Sequence, residues 1–174
     1  MYCIGIDIGT INYGLSMLYF SGSSILVVKN VTVEISKPRK IDFINIKECI
    51  DKELSLFTSG YFISFYFVEK QPWNFQKGIG TCYITAANIT IEAITLLCIE
   101  SGYTDALCHS IVPLKWRAEF LPKNSVKSFS LYSQYNLNTT GRFHEIIYTR
   151  DQFKDVHQYD SFFIACSGII KHIL

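Results

Sequence analysis

The chain has 174 residues, a formal net charge of +1 and a pI near 7.6, which bounds it to one domain. It lacks the bulk positive charge that marks a nucleic-acid binder, so any basic surface must be local. Hydrophobic residues make up 49% and aromatic residues 15%, enough for a substantial core. The six cysteines, at positions 3, 49, 82, 98, 108 and 166, form no Cys-x-x-Cys pair and lie in apolar runs. They argue against a zinc site and for buried free thiols of a reducing compartment. The N-terminus lacks the pattern of a signal peptide, and no apolar stretch reaches the ~20 residues of a membrane span, so the chain reads as soluble.

Residues 2–8 read as a strand, 10–12 as a turn, 13–20 as a second strand, and 25–34 as a third, rich in β-branched residues. Short connections make these three an antiparallel meander. Between 44 and 57 the pattern turns helical, with Ile46, Ile50, Leu54 and Phe57 on one face. Residues 62–68 form a nearly all-apolar strand, which implies burial on both faces. A loop at 70–80 leads into a long helix ending near Ser101-Gly102. A short strand follows at 107–112, and Pro113 opens a helix or turn to Phe120. Residues 123–135 read as another helix, and 137–148 is the least legible stretch. A C-terminal helix is expected from Asp151, as N-cap, to about Ile170. The order predicts an α/β fold: a mixed five-stranded sheet, a three-strand meander plus two further strands, flanked by helices.

Asp7 interrupts an apolar strand between Gly5 and Gly9. A carboxylate there is costly unless it is paired or bound to a cation, and the glycines admit close approach of a backbone, phosphate or metal. Glu69 ends the fourth strand and would lie on a strand neighbouring Asp7. His157 and Asp160 are three residues apart in an apolar helix, so they share a face; Asp155 lies too far round to share it well. Asp7, Glu69, His157 and Asp160 make a set of hard ligands suited to Mg²⁺ or Mn²⁺. Two such ions ~4 Å apart clamp the attacking and leaving oxygens of a phosphodiester displacement.

The segments GIDIGTINYGLS, FYFVEKQPW and HQYDSFFIA together resemble the RuvC-type Holliday-junction resolvases of the RNase H-like nuclease superfamily. Chain length, the FVEKQ form and the IVPLKWRAEF segment are most similar to the poxviral branch. The resemblance implies an RNase H-like fold and a metal-dependent endodeoxyribonuclease that resolves four-way and other branched DNA junctions. It implies a role in viral recombination and genome processing in the cytoplasm of an infected cell. By motif, Asp7, Glu69 and Asp160 fall on the family's acids. His157 stands where a further acid is usual, a departure some bacterial members share. The family's catalytic lysine falls in the segment after the fifth strand, where Lys115 is the first choice and Lys123 and Lys127 are rivals. A homodimer is implied, because two sites must nick two strands symmetrically. A basic face is implied as well, supplied from Arg39, Lys40, Lys70, Lys77, Lys115, Arg117, Lys123 and Lys127. Trp73 and Phe75 are candidates to stack on unpaired bases.

Two other readings stand beside this one. GIDIGT also opens actin-like and sugar-kinase ATPases, although those need a second domain and a second phosphate loop, and the resolvase reading needs no nucleotide cofactor. A DNA-binding module of the same fold that has lost activity is the other, and His157 in place of an acid is its main support.

Overall fold

A computed structural model describes residues 1–37, 41–72, 79–103, 105–121 and 143–174. Among them, six strands form one sheet: β1 (Tyr2–Asp7), β2 (Asn12–Phe20), β3 (Ser24–Glu34), β4 (Ile63–Glu69), β5 (Leu107–Ile111) and β6 (Glu145–Ile147). The spatial order is β5-β4-β1-β2-β3-β6. The pairs β1–β2 and β2–β3 are antiparallel, which is the expected meander. β1–β4, β4–β5 and β3–β6 are parallel. The sixth strand was not expected. At three residues, inside the least legible segment, β6 is too short to carry a periodic signal.

Among the described residues, four α-helices cover the sheet: α1 (Phe43–Thr58), α2 (Ile79–Gly102), α3 (Pro113–Phe120) and α4 (Val156–His172). The period-two alternation of β1 and β4 assigns their sides. Ile4, Ile6, Tyr66 and Val68 face a core shared with Ile46, Ile50 and Leu54 of α1 and Ile91 and Cys98 of α2. Cys3 and Phe67 face a second core with Trp116 and Phe120 of α3 and Phe162, Phe163 and Ala165 of α4. β4 thus has large apolar side chains buried on both faces, as its sequence implies.

The C-terminal helix starts later than expected. Asp151 sits in a 3-10 turn, Arg150–Gln152, and Asp155 caps α4 by accepting from the backbone N–H groups of His157 and Gln158. Between them the chain is tied to the sheet: Gln152 Nε2 donates to the Val27 carbonyl at 2.9 Å, and Phe153 is buried. Those contacts keep 153–155 out of the helix. The expected helix at 123–135 lies outside the described residues.

None of the six cysteines is in a disulfide; Cys3, Cys98 and Cys166 are buried as expected, whereas Cys49, Cys82 and Cys108 are only half-buried. The expectation on apolar stretches needs correction. Thr81–Gly102 is long and apolar enough to cross a membrane by length and composition. Its scattered threonines, Asn88 and Glu92 disguise it in the sequence, because none of them lowers the average far.

How closely α4 sits on the sheet decides the position of everything it carries. A Cβ added at Gly5 would overlap the backbone oxygen of Ser161, and one added at Gly14 would overlap that of His157. Bare backbone on β1 and β2 therefore seats the first turns of α4. A buried polar cluster fixes the register there: Ser16 Oγ donates to the Gln158 carbonyl at 3.1 Å and lies 2.7 Å from Ser161 Oγ. Overpacking of this kind costs on the order of 1–3 kcal/mol. Gly14→Ala is expected to lower stability by about that amount in urea denaturation. Gly102→Ala, with open space around its Cβ, is expected to be neutral or stabilising by about 0.5 kcal/mol. Equal stabilities for the two variants would show that α4 does not need bare backbone beneath it.

Candidate active site

The carboxylates of Asp7 and Glu69 are placed by sheet register. β1 and β4 run parallel, with Gly5 paired to Phe67 and Ile6 to Val68. Asp7 and Glu69 each lie one residue further and end their strands. Alternation puts both on the α4 face, since Gly5 and Phe67, two residues back, meet α4. Each is 5% exposed. The expected placement on neighbouring strands is what the register gives.

The first turns of α4 bring the remaining expected residues. His157 Nδ1 lies 2.8 Å from Asp7 Oδ2, and Asn12 Nδ2 reaches His157 Nε2 at 3.4 Å. The hydrogen bond to Asp7 holds the His157 imidazole above its ordinary pKa of 6.5. Burial opposes this, while the charges of Asp7, Asp155 and Asp160 add to it. At 29% side-chain exposure the ring still faces solvent. Asp160, one turn on, is 2% exposed. Asp155 is occupied as the helix cap and accepts from Thr32 Oγ1 at 2.9 Å.

Glu69 is gripped by Trp116 and Gln71, to which the sequence assigns no role, and approached by Arg117, expected only in the basic face. Trp116, fully buried on α3, directs Nε1 to Glu69 Oε1 at 3.3 Å. Gln71 directs Nε2 to Oε2 at 3.2 Å. The half-exposed Arg117 brings a terminal guanidinium nitrogen within 4.0 Å of Oε1. The backbone N–H of Gln71 donates in turn to Glu92 Oε2 of α2 at 2.8 Å. Asn12, Trp116 and Glu92 carried no usable signal, because amide, indole and helix-face carboxylate are each common in ordinary structural roles. Gln71 had one: it lies two residues after a strand-end acid.

Among the described residues, no three His, Cys, Asp or Glu side chains are gathered tightly enough to share one ion. The donor chemistry nonetheless suits a hard cation. Three carboxylates at most 5% exposed lie on one face of the sheet and the helix covering it. Buried carboxylates are costly without compensating positive charge. Close at hand among the described residues are the Arg117 guanidinium and, when protonated, His157. Lys115 lies on α3, with its side chain outside the described residues. Arg39, Lys40, Trp73, Phe75, Lys77, Lys123 and Lys127 also lie outside them. Lys70 is exposed beside Glu69.

No family model and no curated protein matches the sequence. Solved structures do. RuvC from Thermus thermophilus, in complex with a Holliday junction substrate, has a TM-score of 0.67 at 14% identity, covering 98% of this chain and 93% of that one. The Holliday junction resolvase of yeast mitochondria has a TM-score of 0.62 at 13% identity over 97% of this chain and 78% of that one. The fowlpox virus Holliday junction resolvase has a TM-score of 0.55 at 11% identity over 99% of this chain and the whole of that one. A sheet that places two acids at adjacent strand ends beneath a C-terminal helix, and that aligns with these structures over nearly its full length, has the fold of the RuvC-type Holliday junction resolvases.

Proposed function

We propose that the chain is a metal-dependent endonuclease that resolves four-way DNA junctions. The observation that carries this is the convergence of His157 and Asp160 from α4 onto the sheet face that holds Asp7 and Glu69, in a fold shared with junction resolvases. Asp7, Glu69, His157 and Asp160 are the residues that would hold Mg²⁺ or Mn²⁺. Such ions supply a nucleophilic water and stabilise charge on the leaving oxygen. The protein's own part is to orient and to exchange a proton. To serve as a ligand His157 would have to be neutral, its proton released to solvent and its contact with Asp7 given up. Trp116 and Gln71 keep the Glu69 carboxylate from turning away. Lys115 is assigned to the scissile phosphate, where an ammonium steadies developing charge.

The ATPase reading finds no support. The turn after β1 closes on itself, since a Cβ at Gly9 would meet the Asn12 carbonyl oxygen at 2.6 Å. A homodimer is supported by α2. Tyr83, Ala86, Ala93 and Leu97 form an exposed stripe along it, with Tyr83 62% and Leu97 61% exposed. An apolar helix left open on one side suits a second copy of the chain better than water. The resemblance to poxviral resolvases supports a role for the reaction in viral DNA processing.

Asp7→Asn is expected to abolish junction cleavage and leave junction binding intact, because a ligand is lost while the DNA-facing cations remain. Electrophoretic binding and single-turnover cleavage check the two halves. Cleavage near the wild-type rate would exclude Asp7 as a ligand.

His157 makes the site pH-dependent in a defined sense. Its pKa is raised in the folded, metal-free protein. The paired imidazolium therefore stabilises that form at low pH, and the contribution fades as pH rises through the raised value. Metal must displace the same proton, so Mn²⁺ affinity should climb with pH across that window and then level off. His157→Asp should retain activity, shift preference toward Mg²⁺ and flatten the pH dependence, as read by calorimetric titration. An inactive, folded His157→Asp variant would mean that histidine moves a proton in the reaction.

Lys115→Ala is expected to slow single-turnover cleavage on the order of 10²-fold with little change in affinity. Weaker binding with a salt slope smaller by about one and an unchanged saturated rate would instead make Lys115 a phosphate contact. In that case Lys123→Ala and Lys127→Ala are the variants to examine for the rate defect.

A further inference from the structure

The chain leaves the sheet after Glu69 in two steps. Lys70 N–H extends the β4–β5 ladder by donating to the Ile111 carbonyl at 2.8 Å. Gln71 N–H then turns away from the sheet to Glu92 Oε2 at 2.8 Å. That turn swings the Gln71 side chain, 6% exposed, back over the carboxylate it has just passed. Its Nε2 reaches Glu69 Oε2 at 3.2 Å, and Trp116 Nε1 holds Oε1 from the other side at 3.3 Å. A donor on each carboxylate oxygen fixes the group's orientation.

We propose that Gln71 and Glu92 are a positioning pair for Glu69: Glu92 fixes the backbone of Gln71, and Gln71 with Trp116 fixes the plane of the Glu69 carboxylate. The assignment rests on the nuclease reading. It makes α2, the helix with the exposed apolar stripe, part of the support of the active site through one hydrogen bond. Groups that orient a metal-binding residue typically matter about 10–100-fold in affinity or activity. Glu92 acts here only as an acceptor for an N–H group. The amide oxygen of a glutamine serves that purpose equally well, whereas a residue acting through its charge or as a metal ligand would not survive that exchange.

The test uses four variants of the full chain: Glu92→Ala, Glu92→Gln, Gln71→Ala and the double Gln71→Ala/Glu92→Ala. Calorimetric Mn²⁺ titration, single-turnover cleavage and hydrogen exchange at the Gln71 amide are measured on each. Glu92→Ala should weaken Mn²⁺ binding and slow cleavage about tenfold, with unchanged junction affinity and faster exchange at Gln71. Glu92→Gln should restore all three to within about twofold, since the acceptor is kept. Gln71→Ala should match Glu92→Ala in Mn²⁺ binding and cleavage while exchange at residue 71 stays slow, and in Mn²⁺ binding and cleavage the double variant should be no worse than either, because the two residues act as one unit. A Glu92→Gln variant as impaired as Glu92→Ala would overturn the proposal, as would effects that add in the double variant. A wild-type protein that binds Mn²⁺ but leaves junctions intact would refute the nuclease reading, while the Mn²⁺ affinities would still decide for or against the pair.

Discussion

The contact on which the rest of the molecule depends is the seating of α4 on the bare backbone of β1 and β2. Helix and sheet surfaces normally meet with side chains between them. Here Gly5 and Gly14 remove the side chains beneath Ser161 and His157. The helix then comes close enough for Ser16, Ser161 and the Gln158 carbonyl to form one buried hydrogen-bonded cluster. That cluster allows a single register. In that register His157 lies against Asp7, and Asp160 is buried one turn further on. A shift of one residue along the helix would swing both side chains about 100° away. Precise packing and the chemical site therefore share the same few residues.

The second constraint is electrostatic. A protein with almost no net charge has put three of its carboxylates among its least exposed residues, at one end of the sheet. Hydrogen bonds from Trp116 and Gln71 and the proximity of Arg117 balance Glu69, and the imidazole of His157 balances Asp7. On the nuclease reading these are resting arrangements. A divalent cation held by these residues would compete with the His157 proton for Asp7 and would leave the Trp116 and Gln71 bonds to Glu69 in place. The two acids are thus held differently: two donors orient Glu69, and Asp7 is paired with the His157 imidazole.

Much of this was legible in the sequence because it rests on local pattern. The meander follows from three β-branched or aromatic runs split by short turns, and the buried face of α1 follows from Ile46, Ile50, Leu54 and Phe57 at helical spacing. Asp7 and Glu69 stood out because acids are out of place in apolar strands. Most of the misses are non-local. Asp155 rather than Asp151 caps α4, because Gln152 and Phe153 are held by the sheet. β6 exists because β3 offers it an edge. Trp116 and Glu92 matter only because α3 and α2 bring them to the end of β4, and nothing within a few residues of either announces that meeting.

The most direct measurement is incision of a synthetic four-way junction by the wild-type protein. It is run with Mn²⁺, with Mg²⁺ and with chelator, beside a linear duplex of the same sequence. The account predicts paired nicks at symmetrical positions near the branch point, dependent on the divalent ion and absent from the duplex. Cleavage that persists in chelator, or that falls equally on duplex and junction, would contradict it.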